Sequence, residues 1–133
     1  MAGLSLKFAL ASLLLVGTSA QAQPPLREVP EVRNGLVYVG IAYEISERCD
    51  DLSARLLRGL GYLQSLKWTA RDMGYSSDEI DTFVNSDEDR KYLESLARDL
   101  LERLGAVEDD PQSFCAVGRA EMAKGTRVGW LLR

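Results

Sequence analysis

Leucine recurs at intervals of three and four residues along much of this 133-residue sequence. Such spacing places side chains on one face of an α-helix, where they can be buried together. It predicts one helix that begins near Asp50 or Asp51 and a later helix that ends at Gly105. The apolar positions are Leu52, Leu56, Leu60, Leu63 and Ala70 in the first of these, and Tyr92, Leu93, Leu96, Leu100 and Leu104 in the second.

Three further helices are predicted by apolar spacing and by capping residues. Two adjacent apolar rows predict a helix over 31–48, although their β-branched content leaves a strand as an alternative. Ser76 and Glu79 match a capping box that begins a short helix, and Asp110-Pro111 is typical of the start of another. The two rows of the helix over 31–48 are Val32, Leu36, Val39 and Tyr43, and Val37, Ile41 and Ile45.

These segments predict an all-α fold, a compact bundle of about five helices, in a single domain over residues 31–133. The first, second and fourth helices are expected to bury their apolar stripes. Gly59 and Gly61 on the second helix are expected to let another helix approach closely. Three prolines in segment 23–30 predict an extended arm that leads into the domain.

The N-terminal segment 1–22 has the pattern of a secretory signal. Lys7 precedes an apolar stretch over 8–16, and Ala20-Gln21-Ala22 is the small-x-small pattern that signal peptidase recognises. Nine helical residues reach only about 14 Å, which is too short for the roughly 30 Å of bilayer hydrocarbon. We therefore expect cleavage before Gln23, no membrane span afterwards, and a periplasmic location.

The composition removes many kinds of site. Histidine is absent and cysteine occurs twice, so the usual general base, the commonest metal ligand and any four-cysteine centre are missing. In an oxidising compartment Cys49 and Cys115 are expected to form a structural disulfide. A redox role would need a Cys-x-x-Cys pair or a base beside the thiol, and neither is visible. We expect no metal site and no cofactor.

Acidic residues cluster at three predicted helix starts, over 78–81, 87–89 and 108–110. Negative charge at these positions complements the helix dipole. The clusters lack the glycine and glutamate spacing of an EF-type calcium loop, and nothing pairs two particular carboxylates for catalysis. We therefore predict no catalytic residues. The net charge of −4 and the lack of a basic run argue against nucleic acid and anionic lipid as partners.

The C-terminal tail, 125–133, has two interpretations. Four large apolar residues lie between Arg127 and Arg133. They either fold back onto the bundle, which we favour, or form a surface for a protein partner. The candidate partner surface comprises Val128, Trp130, Leu131 and Leu132.

Several short motifs follow the N-terminal segment in a defined order. They are Pro24-Pro25-Leu26-Arg27-Glu28-Val29-Pro30, Cys49 followed by Ser53-Ala54-Arg55, Leu66-Lys67, Gly74-Tyr75-Ser76 with Glu79-Ile80, Ser113-Phe114-Cys115 followed by Gly118 and Glu121, and Gly129-Trp130-Leu131-Leu132-Arg133. Together they resemble the small secreted alphaproteobacterial proteins grouped as domain of unknown function 5333. The resemblance covers essentially the whole chain after residue 22. It implies a small helical protein with paired cysteines and no established activity.

Some members of that family carry the name of a component of the respiratory NADH dehydrogenase. The genuine component of that name holds an iron–sulfur cluster through four cysteines, and this chain has two, so the name does not fit literally. An association with the periplasmic side of a respiratory membrane complex stays open.

The leading functional hypothesis is a non-enzymatic periplasmic protein whose partner is another protein. Its basis is the signal segment, the cysteine pair and the lack of a catalytic constellation. One alternative is an accessory component on the periplasmic side of a respiratory membrane complex, and another is an acid-stress chaperone that exposes apolar surface when its carboxylates protonate. A less favoured alternative is a small hydrolase that uses paired carboxylates.

Overall fold

The computed structural model describes Gly3, Gly17 and residues 23–133. Apart from those two glycines, the predicted signal segment 1–22 lies outside the described residues. Residues 23–133 form helices and no β-strand, which confirms the predicted all-α class. The helices are α1 (Pro30–Arg48), α2 (Leu56–Asp72), α3 (Ser77–Val84), α4 (Asp87–Leu104), α5 (Pro111–Lys124) and α6 (Arg127–Trp130).

Helix α1 lies at the centre of the fold. It packs against α2, α4, α5 and α6, which is why both of its apolar rows find partners. Ile41 and Ile45 are completely buried. The main core joins α1 to α4, α5 and the C-terminal tail, and its largest members are Val37, Ile41, Ile45, Leu52, Leu101, Phe114, Val117, Val128, Leu131 and Leu132.

The predicted disulfide between Cys49 and Cys115 is confirmed. Cys49 ends α1 and Cys115 lies in the second turn of α5, with their Cα atoms 5.2 Å apart. Both residues are buried in the main core. The bond therefore joins two helices through residues that are 66 positions apart in the sequence.

Helix α2 begins later than its leucine spacing predicts. The predicted start near Asp50 or Asp51 is wrong, because the helix begins at Leu56 and Leu52 is buried in the preceding loop. The backbone N–H of Ser53 donates to the carbonyl of Arg133. The C-terminal tail thus pairs with backbone hydrogen-bonding groups that would have bonded within the helix if α2 began earlier.

The expected burial of the α2 stripe is also only partly correct. Leu66 and Ala70 are buried, but Leu56 and Leu60 are 74% and 64% exposed. The α1 helix covers the C-terminal half of α2, and no described element covers the side chains of Leu56 and Leu60.

The close helix approach predicted at Gly59 and Gly61 is wrong as well. A Cβ atom added at either position would have no neighbour within 4 Å among the residues that the structure describes. The close contact between α1 and α2 occurs instead at Gly35 of α1, where a Cβ would press on the side chains of Leu66 and Tyr62.

Two glycine substitutions should therefore change stability in opposite directions. Gly59→Ala should raise the free energy of unfolding by about 0.5–1 kcal/mol, since alanine favours helix and meets no neighbour. Gly129→Ala should lower it by about 1–3 kcal/mol, because the added Cβ would overlap the backbone of Glu121 and Met122 in α5. Urea unfolding of both variants checks this, and two changes of the same sign would contradict the packing described.

The predicted extended arm, 23–30, needs correction. Leu26–Glu28 form one turn of 3₁₀ helix, and α1 already begins at Pro30. Leu26 and Val29 are buried in a second apolar cluster with Tyr75 of the loop before α3. The arm therefore packs onto the fold, because burial of its apolar side chains is more favourable in free energy than their exposure to water.

Candidate functional site

An open apolar groove of about 780 Å³ runs along α1 between α2 and α4, and we call it the α1 groove. Its floor is formed by α1 residues Val32, Leu36, Val39 and Gly40, with Tyr43 at the edge. Its walls are Leu60 and Leu63 of α2 and Leu93 and Ala97 of α4. Its far end is formed by α3 residues Ile80, Phe83 and Val84. The groove exists because α2 and α4 both pack on α1 while α3 joins them at one end. It is a space of the kind that a further helix fills in a complete bundle.

The rim of the α1 groove remains exposed to solvent. Leu60 is 64%, Tyr43 57% and Val84 56% exposed, so apolar side chains from three helices face water around one opening. Clustered exposed apolar surface of this kind marks interaction sites more often than scattered single residues do.

Charged side chains of both signs line the edges of the groove. Lys67 lies on the α2 side and Arg98 on the α4 side. Among the described residues, neither has a carboxylate within 4.0 Å, whereas Glu44 pairs with Arg48 and Glu94 with Arg90. Both walls therefore offer a cation that is not neutralised by an ion pair within this part of the chain.

The groove offers little to a polar small molecule. Within residues 23–133, every buried polar side-chain atom has a hydrogen-bond partner. Small-molecule sites combine enclosure with a few convergent polar groups. The α1 groove is open along its length and mainly apolar, so it suits a partner that brings its own covering surface.

The acidic clusters lie at the N-terminal ends of helices, as the sequence predicts. Acidic residues occupy the first turns of α3 and α4, and Asp110 caps α5 through the N–H of Gln112. In the part of the chain that the structure describes, Glu121 is the one buried charged residue, and Lys124 lies 3.8 Å from its carboxylate. No second buried carboxylate faces Glu121 there, so paired-acid chemistry has no geometric basis in these residues.

A small ionic cluster lies at the C-terminal end of α1. Arg48 donates to the carboxylate of Glu108 at 2.8 Å, and its guanidinium lies over the ring of Phe114. The hydrogen bond and the charge of Glu108 raise the pKa of Arg48 above its ordinary value.

Tyr75 is a second group with a shifted pKa. Burial, with a smaller effect of Glu79, raises the pKa of Tyr75, whose hydroxyl donates to the carbonyl of Pro24. Both groups hold segments together and neither faces the groove.

One group of three side chains has the spacing of metal ligands. Cys49, Asp51 and Cys115 bring their ligand atoms within 4.8 Å of one another. The two sulfur atoms are bonded to each other, and a metal requires thiolates. This group therefore belongs to the disulfide, and Asp51 pairs with Arg119.

The candidate partner surface in the C-terminal tail needs correction. Val128, Leu131 and Leu132 are 4%, 3% and 1% exposed, so the main core contains them and no partner can reach them. Trp130 alone of the four is at the surface, at 39% exposed. The tail folds back because three apolar side chains find partners on α1 and α5.

Trp130 belongs to a surface cluster that the sequence did not predict. The guanidinium groups of Arg58 and Arg127 lie 4.7 and 4.8 Å from the centre of its ring, and Tyr62 meets it edge to face. Leu57, which precedes Arg58 in the sequence, is 86% exposed. Arg58 and Trp130 are 72 positions apart, so no local pattern could have revealed the cluster. We name as the arginine–leucine patch Arg55, Leu56, Leu57, Arg58, Arg127 and Trp130.

Comparison with protein families gives one clear result. A model described as "Family of unknown function (DUF5333)" matches residues 24–133. The chain belongs to this family. No match was found among curated proteins or among solved structures.

Membership of the DUF5333 family confirms the resemblance drawn from the short motifs. The matched residues include both cysteines, the α1 groove and the arginine–leucine patch. Among the described helices, none combines the length and hydropathy needed to cross a bilayer.

Proposed function

We propose that this DUF5333 protein is a non-enzymatic periplasmic protein that binds a partner protein by holding an amphipathic helix of that partner in the α1 groove. The observation that carries the proposal is the groove itself, an apolar channel between two helices that lie on a common third helix. Binding of an amphipathic helix to an apolar groove is a recurrent mode of protein recognition.

The shape of the groove favours a helix over a small apolar ligand. The exposed side chains of Leu60, Tyr43 and Val84 surround an opening that a small ligand would leave in contact with water. A helix covers both the floor and the rim, because its apolar face enters the groove while its polar face stays outside.

The charges at the rim indicate which helix would fit. Lys67 and Arg98 stand on opposite walls, and neither forms an ion pair with the described residues. Acidic residues that flank the apolar face of the incoming helix would complement both cations. We therefore infer a partner helix with apolar residues at spacings of three and four and acidic residues on both sides of them.

The non-enzymatic and periplasmic parts of the proposal have separate support. The described residues contain a single buried carboxylate, Glu121, and its neighbour is a lysine. The sequence lacks histidine altogether. The disulfide is compatible with an oxidising compartment, and segment 1–22 has the pattern of a secretory signal.

Substitution at the groove rim should abolish partner binding while the fold remains. Leu60→Asp combined with Val84→Asp places a carboxylate on two sides of the opening, at residues that are mostly exposed. We expect the affinity for the partner to fall at least tenfold, since removing an unpaired carboxylate from water costs more than about 1.4 kcal/mol. Co-purification from the periplasm and from solubilised membranes measures the loss, and circular dichroism checks the fold.

Val107→Asp is the matched control, because Val107 is 57% exposed and does not line the groove. A photo-crosslinking residue at position 60 or at position 84 should label the same partner helix, whereas position 107 should not. Recovery of the protein alone, or crosslinks that join two copies of this chain, would contradict the proposal.

A further inference from the structure

We propose that the arginine–leucine patch docks this protein on the surface of a bilayer that contains anionic phospholipids. The proposal does not depend on the function assigned to the α1 groove, because the patch and the groove lining have no residue in common.

The two most exposed large apolar side chains in the described part of the chain are neighbours in this patch. Leu57 is 86% and Leu56 74% exposed, and both lie in the first turn of α2. No described element covers them, so their burial requires a surface outside the described residues. Leucines that protrude from a helix end suit the boundary between lipid head groups and acyl chains.

Arginines flank the leucine pair on both sides. Arg55 precedes it, Arg58 follows it, and Arg127 of α6 lies over the same Trp130 ring as Arg58. No carboxylate of the described residues lies within 4.0 Å of these three guanidinium groups, although four arginines elsewhere in the described part of the chain form ion pairs. The patch is thus positively charged on a chain whose net charge is −4.

The arginines keep donors available for phosphate. Arg55 donates Nε–H to the carbonyl of Leu132, and Arg58 donates one N–H to the carbonyl of Trp130. A guanidinium has five N–H donors, and its planar shape matches phosphate oxygens. Trp130 beside them is an aromatic residue with a polar N–H, of the kind that is enriched at membrane interfaces.

The patch changes the expectation, drawn from the net charge, that anionic lipid is not a partner. A bilayer responds to charges within about one Debye length, roughly 10 Å at 0.1 M salt, and not to the sum over the molecule. The acidic helix starts belong to α3, α4 and the cap of α5, whereas the patch joins the start of α2 to α6. Asp50 and Asp51 precede the patch in the sequence, and Asp51 is paired with Arg119. Local positive charge beside exposed leucines favours anionic lipid over an acidic protein, because a protein partner would have to supply a pocket for both leucines.

Vesicle co-sedimentation tests the proposal with the protein purified from the periplasm. We expect binding to phosphatidylcholine vesicles that contain about one-third phosphatidylglycerol, and much weaker binding to phosphatidylcholine alone. Binding should weaken as salt rises from about 0.01 to 1 M, over which the Debye length falls from about 30 to 3 Å.

Substitutions separate the apolar and the charged contributions. Leu56→Ser combined with Leu57→Ser should lower the partition coefficient at least about tenfold. Arg127→Gln should lower it about fivefold, and Arg127→Lys should lower it less, because lysine keeps the charge but not the planar set of donors. Val107→Ser, at an exposed valine outside the patch, is the matched control.

Several outcomes would overturn the proposal. They are absence of binding to either vesicle, equal binding to both, or unchanged binding by the double leucine variant. If vesicles are not bound but Arg127→Gln releases a co-purifying acidic protein, the patch is a protein contact instead. The single variant Val84→Asp, whose substitution lies on α3 at the far end of the groove, should bind vesicles normally, so failure of the groove proposal is distinguishable from failure of this one.

Discussion

Replacement of both Cys49 and Cys115 by alanine should lower the free energy of unfolding by about 2–5 kcal/mol. The bond links positions 66 apart, and the chain-entropy account of such a loop gives about 4 kcal/mol. Small domains have about 5–15 kcal/mol of stability in total, so the variant should be close to unfolding at physiological temperature. Urea unfolding monitored by circular dichroism measures the difference.

Reduction of the wild-type protein with dithiothreitol provides the control for this prediction. It breaks the same bond without removing the sulfur atoms from the core, where both residues are 1% exposed. The double alanine variant should therefore be at least as unstable as the reduced protein. An unfolding midpoint unchanged by either treatment would show that the bond does not stabilise the fold.

Leu132→Ala should cost about 2–5 kcal/mol. Leu132 is 1% exposed and lies against α5 near Gly118, while Ala54 pairs with its backbone. The substitution leaves a cavity between the tail and the main core, since the surrounding helices can only partly close it. Thermal and urea unfolding both measure this loss.

Leu57→Ala is the matched control, because it is the same substitution at a residue that is 86% exposed. Its effect on stability should be within about 0.5 kcal/mol. Equal losses at the two positions would show that the tail does not pack as described. A tail that served only to dock a partner would give small losses at both.

Helix boundaries were predictable where residues within a single helical turn set them. Ser76 and Glu79 form the predicted capping box, and Asp110 caps α5 ahead of Pro111. Gly74 and Gly105 both have positive φ just beyond the helices that they end. These signals depend on hydrogen bonds and backbone sterics within four residues, so the local sequence contains all the necessary information.

The fate of the α2 leucines was not predictable from their spacing. Leu52, Leu56 and Leu60 have the same periodicity, yet Leu52 is buried in a loop and the other two are exposed. Which face of a helix is covered depends on the elements that pack on it. For α2 that element is α1, which reaches Leu66 but leaves the leucines of the first turns free.

The two candidate surfaces also depend on contacts between distant segments. The α1 groove requires four helices to meet, and the arginine–leucine patch requires Arg58 to meet Trp130 across 72 positions. The sequence by itself determined the helical class, most helix ends and the single possible disulfide pairing, because periodicity, capping and the count of cysteines are properties of the chain. Only the tertiary structure decided which apolar residues remain exposed and which arginines meet, because burial and proximity arise from the packing of helices that are far apart in sequence.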